Sequence, residues 1–293
     1  MVPMPAAPTT DQIERRAELL ARSGPGDAAE LQRLTDDLGA MMRGTDLVVR
    51  RLTLDEPGEV LDRLVAAEPV HPFTDRRDLA DRLDDDRRCF VLEHPALPGR
   101  PLNIVWCALW RGTPQDLAAI LDPEAPTADP DTADTAAFYS IWNVEPGLVG
   151  LPGGRTLLLG AVAALQAQLP GLRTFVTLSP VPGLRAWLEA RGEPPVGEPA
   201  LLTSCARYLT SLRDDGRPLD AVARFHLGNG ARLWSLAPAA DVSERGLARS
   251  FGVMANYRYE PEDRQANRAA LAEGRPAVGE QVAALLRDGT TSL

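Results

Sequence analysis

No lysine occurs anywhere in the 293 residues, and all 31 basic residues are arginine. This removes any chemistry that needs a lysine Schiff base, and it removes the P-loop, whose Gly-x-x-x-x-Gly-Lys cannot be written here. Cysteine is scarce: Cys89, Cys107 and Cys205 are far apart, odd in number and without a Cys-x-x-Cys pair, which fits a reducing compartment and apolar packing. Histidine is limited to His71, His94 and His226, with no His-x-x-x-His or Glu-x-x-His cluster, so no metal site is expected. Positive charge is in deficit: 41 acidic against 31 basic side chains leave a net −10 with no basic stripe, which argues against nucleic-acid binding. An anionic small molecule stays compatible where a few arginines and backbone N–H groups converge. No apolar run approaches membrane-spanning length, and Met1 to Thr10 lacks a basic segment followed by an apolar one. The expectation is a cytoplasmic chain with no membrane partner.

What is present is ordinary for a globular protein: 44% apolar and 25% charged residues, with 26 prolines and 24 glycines marking many turns. The spacing of Ile13, Leu19, Leu20, Leu31, Leu34, Leu38 and Met41 predicts two amphipathic helices broken at Ser23-Gly-Pro-Gly26. We take residues 1–46 as a short helical segment and 47–293 as the main domain. A strand is expected over Leu47–Leu54, helices near Pro57–Ala67 and Asp75–Leu83, and a hairpin from Arg88–Glu93 and Leu102–Trp110 around a mobile Pro95–Arg100 tip. Pro123–Asp134 reads as an exposed loop, and Thr-Ser-Leu at the C-terminus as a frayed end.

Next come a strand at Ala137–Trp142, a glycine-rich turn at Gly147–Gly154, a helix from Arg155 to Leu169 and a strand from Thr174 to Leu178. A helix N-terminus offers unpaired N–H groups and the positive end of the helix dipole, which together suit a phosphate. Gly150, Gly153 and Gly154 permit close backbone approach, and Arg155 adds a fixed charge. The spacing matches neither the P-loop nor Gly-x-Gly-x-x-Gly, which leaves a coenzyme A turn as the candidate.

Several segments carry a specific resemblance: Ala67-Glu-Pro-Val-His-Pro72, Arg87-Arg-Cys-Phe90, Phe138-Tyr-Ser-Ile141, Gly147-Leu-Val-Gly150, Leu178-Ser-Pro-Val-Pro-Gly183, Phe225-His-Leu-Gly-Asn-Gly230, and Ala240-Asp-Val-Ser243 running into Gly252-Val-Met-Ala-Asn-Tyr-Arg-Tyr259. In this order they resemble the malonyl-CoA decarboxylase family over roughly Arg50 to Leu286. The resemblance implies an α+β fold of the Gcn5-related N-acetyltransferase type, with a mixed, mostly antiparallel sheet flanked by helices. It implies a catalytic serine at Ser179, a catalytic histidine at His226, and Tyr259 and Asn256 in the same site. Val149, Gly150, Leu151, Pro152, Gly153, Gly154 and Arg155 match the turn that binds the acyl-CoA. One position departs, since the family's active-site glutamate falls on Pro152, which has neither carboxylate nor N–H. Water, another carboxylate such as Glu145, or a slower mechanism would have to take its place; the alternative is altered chemistry on the same fold. The helical part is far shorter than that family's helical domain, which leaves a homo-oligomer open.

The chemistry implied is loss of CO2 from malonyl-CoA, or a substituted malonyl thioester, with no cofactor, coenzyme A entering as part of the substrate. An enolate must be stabilised and its carbon protonated. Ser179 can hold the carboxylate out of the thioester plane, and His226, with an ordinary pKa near 6.5, can protonate the carbon. Two other readings keep the fold: transfer of the acyl group to a carrier protein or amine, and binding of acyl-CoA without turnover. Serine hydrolysis is disfavoured because Gly-x-Ser-x-Gly is absent around Leu178-Ser179-Pro180. Taken singly, a Ser before Pro is most often a turn former, and a histidine between Phe225 and Leu227 a packed side chain. His71 is assigned a structural or supporting place and His94 none.

Overall fold

A computed structural model describes residues 9–22, 27–192 and 195–288. In chain order the elements of the first half are α1 (Thr10–Arg22), α2 (Ala28–Met41), β1 (Val48–Leu52), α3 (Gly58–Ala67), α4 (Arg76–Asp81), β2 (Arg87–Glu93), β3 (Asn103–Trp110), α5 (Leu117–Leu121), β4 (Thr135–Asn143) and α6 (Gly154–Gln168). The second half holds β5 (Thr174–Thr177), β6 (Ser179–Pro180), α7 (Leu184–Arg191), α8 (Glu198–Thr210), α9 (Ala221–Gly228), β7 (Arg232–Ala237), α10 (Glu244–Ser250), β8 (Met254–Arg258), α11 (Arg264–Ala272) and α12 (Glu280–Asp288). The expected break at Ser23–Gly26 and the Thr-Ser-Leu end lie outside the described residues. Among the described residues no helix is long and apolar enough to cross a membrane.

The chain clusters into two compact units: the described part of Met1–Cys107 together with Ser140–Pro170, and Ala108–Tyr139 with the described part of Gly171–Leu293. In the first unit β1 pairs antiparallel with β2, Val48 opposite Glu93 and Leu52 opposite Cys89. The apolar runs Cys89–Leu92 and Ile104–Cys107 are buried at every position, as strands covered on both faces must be. The β2–β3 turn differs from the mobile tip read in the sequence. Leu97 is buried within it, and Arg100 is ion-paired with Glu14 and Glu145.

The N-terminal helices belong to this unit. Ile13 and Leu19, on one face of α1, are fully buried. Arg16, buried despite its charge, donates from one terminal nitrogen to the carbonyls of Gly147 (2.7 Å) and Val149 (3.1 Å). The helix thus grips the start of the glycine-rich turn by its backbone.

The second unit carries the far half of β3 and the near half of β4, joined by Asp134 N–H donating to the Trp110 carbonyl (3.1 Å). Strand β4 pairs parallel with β5, Thr135 opposite Thr174 and Phe138 opposite Thr177. A parallel pair needs a crossover, which the stretch containing α6 supplies. Strand β8 then pairs antiparallel with β5, β6 and β7. The pairing is mixed and mostly antiparallel with flanking helices, as the resemblance implied. Pro123–Asp134 is largely exposed as expected, with one 3₁₀ turn at Pro130–Thr132 and Ala133 buried.

Candidate active site

Strand β5 ends at Thr177, and after Leu178 the chain steps onto β8, where Ser179 lies opposite Ala255. Two-residue alternation therefore puts Thr177 and Ser179 on one side of the chain. The Ser179 hydroxyl donates to Thr177 Oγ1 (2.8 Å) and lies 3.1 Å from His226 Nε2. The other ring nitrogen, Nδ1, lies 2.8 Å from the Tyr259 hydroxyl. Four side chains of the second unit thus form one continuous chain of hydrogen bonds, Thr177–Ser179–His226–Tyr259.

Each link has a local cause. His226 rides on α9, whose start is capped by Asp220: one carboxylate oxygen accepts from the N–H groups of Val222 and Ala223 (2.8 Å each). The other oxygen accepts from the Tyr208 hydroxyl (3.1 Å). Gly183 permits that pairing, because a Cβ there would sit 2.1 Å from the Tyr208 oxygen. On β8 the pleat turns Tyr257 and the following Tyr259 to the same side. The imidazole stacks on Tyr257, centroids 4.5 Å apart at 21°, and meets Tyr259 edge-on.

Ser179 is 6% exposed, His226 2% and Tyr259 4%. That burial corrects one premise read from the sequence. Removal from water pushes the His226 pKa down from 6.5 to about 3, so the ring is neutral at physiological pH rather than poised to titrate. Burial also pushes the Tyr257 hydroxyl up and raises the Asp220 carboxyl.

Asn256, on the opposite side of β8, is completely buried and uses all four of its amide valences. Its Oδ1 accepts from Ser235 (2.9 Å) and Gln115 (3.4 Å), while Nδ2 donates to the carbonyls of Thr177 (3.0 Å) and Pro114 (3.2 Å). It ties β5, β7 and β8 together beneath the serine.

The remaining expected residues lie in the first unit. Gly153 precedes α6 with no side-chain cap on the helix start, which leaves that end open to an anion. Val149, Gly150 and Pro152 are exposed, Leu151 and Gly153 buried, Gly154 and Arg155 intermediate. The turn is held from behind: Asn143 donates to the Leu148 carbonyl and accepts from Asn103. Glu145 is no free substitute for a carboxylate at position 152, because it is buried and held by Arg100 (2.8 and 3.2 Å) and Arg63 (3.3 Å). His71 contributes its backbone, donating to Glu68 and accepting from Arg82.

Sequence reasoning missed Thr177, Asp220 and Glu68. The Thr-x-Ser spacing of a strand pointed to Thr177, and an Asp preceding an apolar helix start pointed to Asp220. Glu68 is buried and accepts from Ser140 (3.1 Å), Trp142 (2.7 Å) and two backbone N–H groups; it sits in the Ala67–Pro72 motif, which gave it no role. The three cysteines are buried and form no disulfide, and Cys89 and Cys107 lie in the apolar strands where packing was expected of them. Among the described residues no three His, Cys, Asp or Glu side chains converge to hold a metal.

A mixed, mostly antiparallel sheet with the parallel pair β4–β5 and flanking helices is an acetyltransferase-like architecture. A structural match to the loading GNATL domain of CurA from Lyngbya majuscula shows that fold alone, at 18% identity and TM-score 0.51 over 75% of this chain and 98% of that one. The more specific family follows from other matches. Residues 45–198 and 195–292 match the family model of the malonyl-CoA decarboxylase C-terminal domain. The chain is 34% identical to the mitochondrial malonyl-CoA decarboxylase of Anser anser anser over 76% of its length and 54% of that protein's. It superposes on the malonyl-CoA decarboxylase of Rhodopseudomonas palustris with TM-score 0.85 and 34% identity, covering 92% of this chain and 74% of that one. This chain belongs to the malonyl-CoA decarboxylase family. It spans about half the length of the curated relatives it matches.

Proposed function

We propose that this chain decarboxylates malonyl-CoA, or a malonyl thioester substituted at the central carbon, to the corresponding acyl-CoA and CO2. The observation that carries the reading is the Ser179–His226–Tyr259 chain, buried and closed at 3.1 and 2.8 Å. In this reading Ser179 turns the substrate carboxylate out of the thioester plane, aligning the breaking C–C bond with the carbonyl π system. His226 gives the proton to the enolate carbon, a transfer worth about 10²–10⁴ in rate when the donor is positioned. Because the ring is neutral, the proton comes from an N–H bond of imidazole and not from imidazolium. Tyr259 backs the ring, and Asn256 holds the strands that carry serine and tyrosine. The Val149–Arg155 turn takes the phosphates of the acyl-CoA through the open start of α6. Fatty-acid or polyketide metabolism is the setting in which such a reaction serves.

Purified protein incubated with malonyl-CoA should release CO2 and acetyl-CoA. Ser179→Ala and His226→Ala should each lose at least about tenfold in rate, the low end of what positioned proton transfer and orientation supply. Full turnover in both variants would sink this mechanism. An acylated carrier protein as the product would move the reaction to group transfer.

A further inference from the structure

A chain of hydrogen bonds through a neutral imidazole has a direction. One ring nitrogen carries the proton and the other accepts, so the partners at either end decide which side of the ring faces the serine as a donor. We propose that Thr177 sets this direction, so that His226 carries its proton on Nε2, toward Ser179, and accepts from Tyr259 on Nδ1.

Thr177 is buried, and its Oγ1 accepts twice: from the Ser179 hydroxyl at 2.8 Å and from the Tyr257 N–H at 3.2 Å. With Thr177 Oγ1 as the acceptor we assign to the Ser179 proton, the serine oxygen presents only lone pairs to His226 Nε2, 3.1 Å away. A hydrogen bond there requires Nε2–H as donor. Nδ1 is then the bare nitrogen, and the contact of 2.8 Å requires the Tyr259 O–H to donate to it. Thr177 is thus a positioning residue: it acts on the ring through Ser179.

The consequence rests on the decarboxylase reading. When the malonyl carboxylate arrives, one rotation about Cβ–Oγ swings the Ser179 hydroxyl from Thr177 to the carboxylate, while its oxygen keeps the Nε2–H. As the C–C bond breaks, its electron pair passes into the thioester enolate and CO2 leaves. The enolate carbon then bonds to the Nε2 proton, and the N–H electrons stay on the ring. A neutral imidazole acting alone would be left as imidazolate, a poor outcome in a dry site. Instead Nδ1 takes the Tyr259 proton, the ring ends as the neutral Nδ1–H tautomer, and the charge rests on a phenolate. Departure of CO2 and the acyl-CoA admits water, which protonates Nε2 and leaves as hydroxide while Nδ1 returns its proton to the phenolate, restoring the resting tautomer.

The chain has only three histidines, so the full-length protein labelled with 15N-histidine gives a spectrum that His226→Gln assigns by loss of one ring. In substrate-free wild type we expect the Nε2–H tautomer for His226. Thr177→Val, close in shape and without the acceptor, should turn the Ser179 proton onto Nε2 and shift the ring to Nδ1–H, whereas Thr177→Ser should keep the wild-type tautomer. On malonyl-CoA, Thr177→Val should lose about tenfold in kcat with KM changed less than about twofold, and Thr177→Ser should recover most of it. A wild-type ring protonated on Nδ1 overturns the proposal, as does a Thr177→Val ring still protonated on Nε2. The wild-type spectrum decides even if the valine variant fails to fold. It is read without substrate, so a protein that proves unable to decarboxylate malonyl-CoA leaves the tautomer result standing and refutes only the reaction.

Discussion

Replacing His226 by Gln should make the protein less sensitive to acid, although it removes a side chain at the centre of the site. Burial holds the folded-state pKa near 3, while in the unfolded chain the ring titrates at its ordinary 6.5. Below pH 6.5 the unfolded chain therefore binds a proton that the folded protein refuses until about pH 3, and stability falls as pH falls through that window. Each pKa unit is worth about 1.4 kcal/mol, so between neutral pH and about pH 4.5 the two-unit gap costs wild type roughly 2.5–3 kcal/mol, and near pH 3, where the folded ring is half protonated, about 4. Against a typical total stability of about 5–15 kcal/mol this is a large fraction. Asp220 works the other way: burial raises its folded-state pKa, so its contribution is present at low pH and lost as pH rises. His226→Gln keeps Asp220, so that contribution cancels in the comparison.

Glutamine suits the test because it offers a donor and an acceptor but does not titrate. Urea midpoints of both proteins, taken near neutral pH and near pH 4.5 with m-values held to be equal, give the difference of differences directly. The variant should start less stable at neutral pH and close on wild type by roughly 2.5–3 kcal/mol at the lower pH. Parallel loss in the two proteins would refute the buried, neutral ring, and with it any mechanism in which the proton donor is a neutral imidazole.

The same neutral ring predicts that the pH profile of kcat/KM on malonyl-CoA shows no step near 6.5 removable by a change at position 226. Gly147→Ala should destabilise the first unit by about 2–3 kcal/mol in urea melts, since the new Cβ would meet the Ile13 carbonyl at 1.9 Å and backbone cannot yield cheaply. Asp220→Ala should cost about 1–2 kcal/mol for the lost helix cap and leave the buried Tyr208 hydroxyl without its carboxylate, while Asp220→Asn, also a good cap, should recover part of it. Arg16→Gln should weaken the grip of α1 on Gly147 and Val149 and raise KM for malonyl-CoA more than it lowers kcat.

Most elements that bear motifs were legible because their signals are local. The apolar runs of β2 and β3, the strand–turn–helix–strand order from β4 to β5, and the spacing of α1 and α2 all follow from periodicities of two and 3.6 residues. Ser179, His226 and Tyr259 were legible only together, through motifs scattered over some eighty residues. The partners that finish the site were hidden for a different reason. Thr177 looks like any strand residue, and its value lies in an acceptor placed two positions before a serine. The resemblance places Asn256 in the site with Tyr259, yet its four hydrogen-bonding positions are spent on Pro114, Gln115, Thr177 and Ser235, three of them far off in sequence.

Burial decides the protonation state, and burial is a property of the assembled sheet, not of the Phe-His-Leu motif. A histidine read from sequence carries its ordinary pKa and invites a mechanism of charging and discharging. Once α9 lays that ring on Tyr257 and burial makes the imidazolium costly, the proposed mechanism has to draw the ring's proton from a bonded neighbour. The tyrosine at 2.8 Å then ceases to be an ornament of the motif. In the proposed reaction it is the group from which the neutral histidine draws its second proton, and the Tyr257-Arg-Tyr259 spacing then serves two tasks: one tyrosine stacks on the ring and the other feeds it.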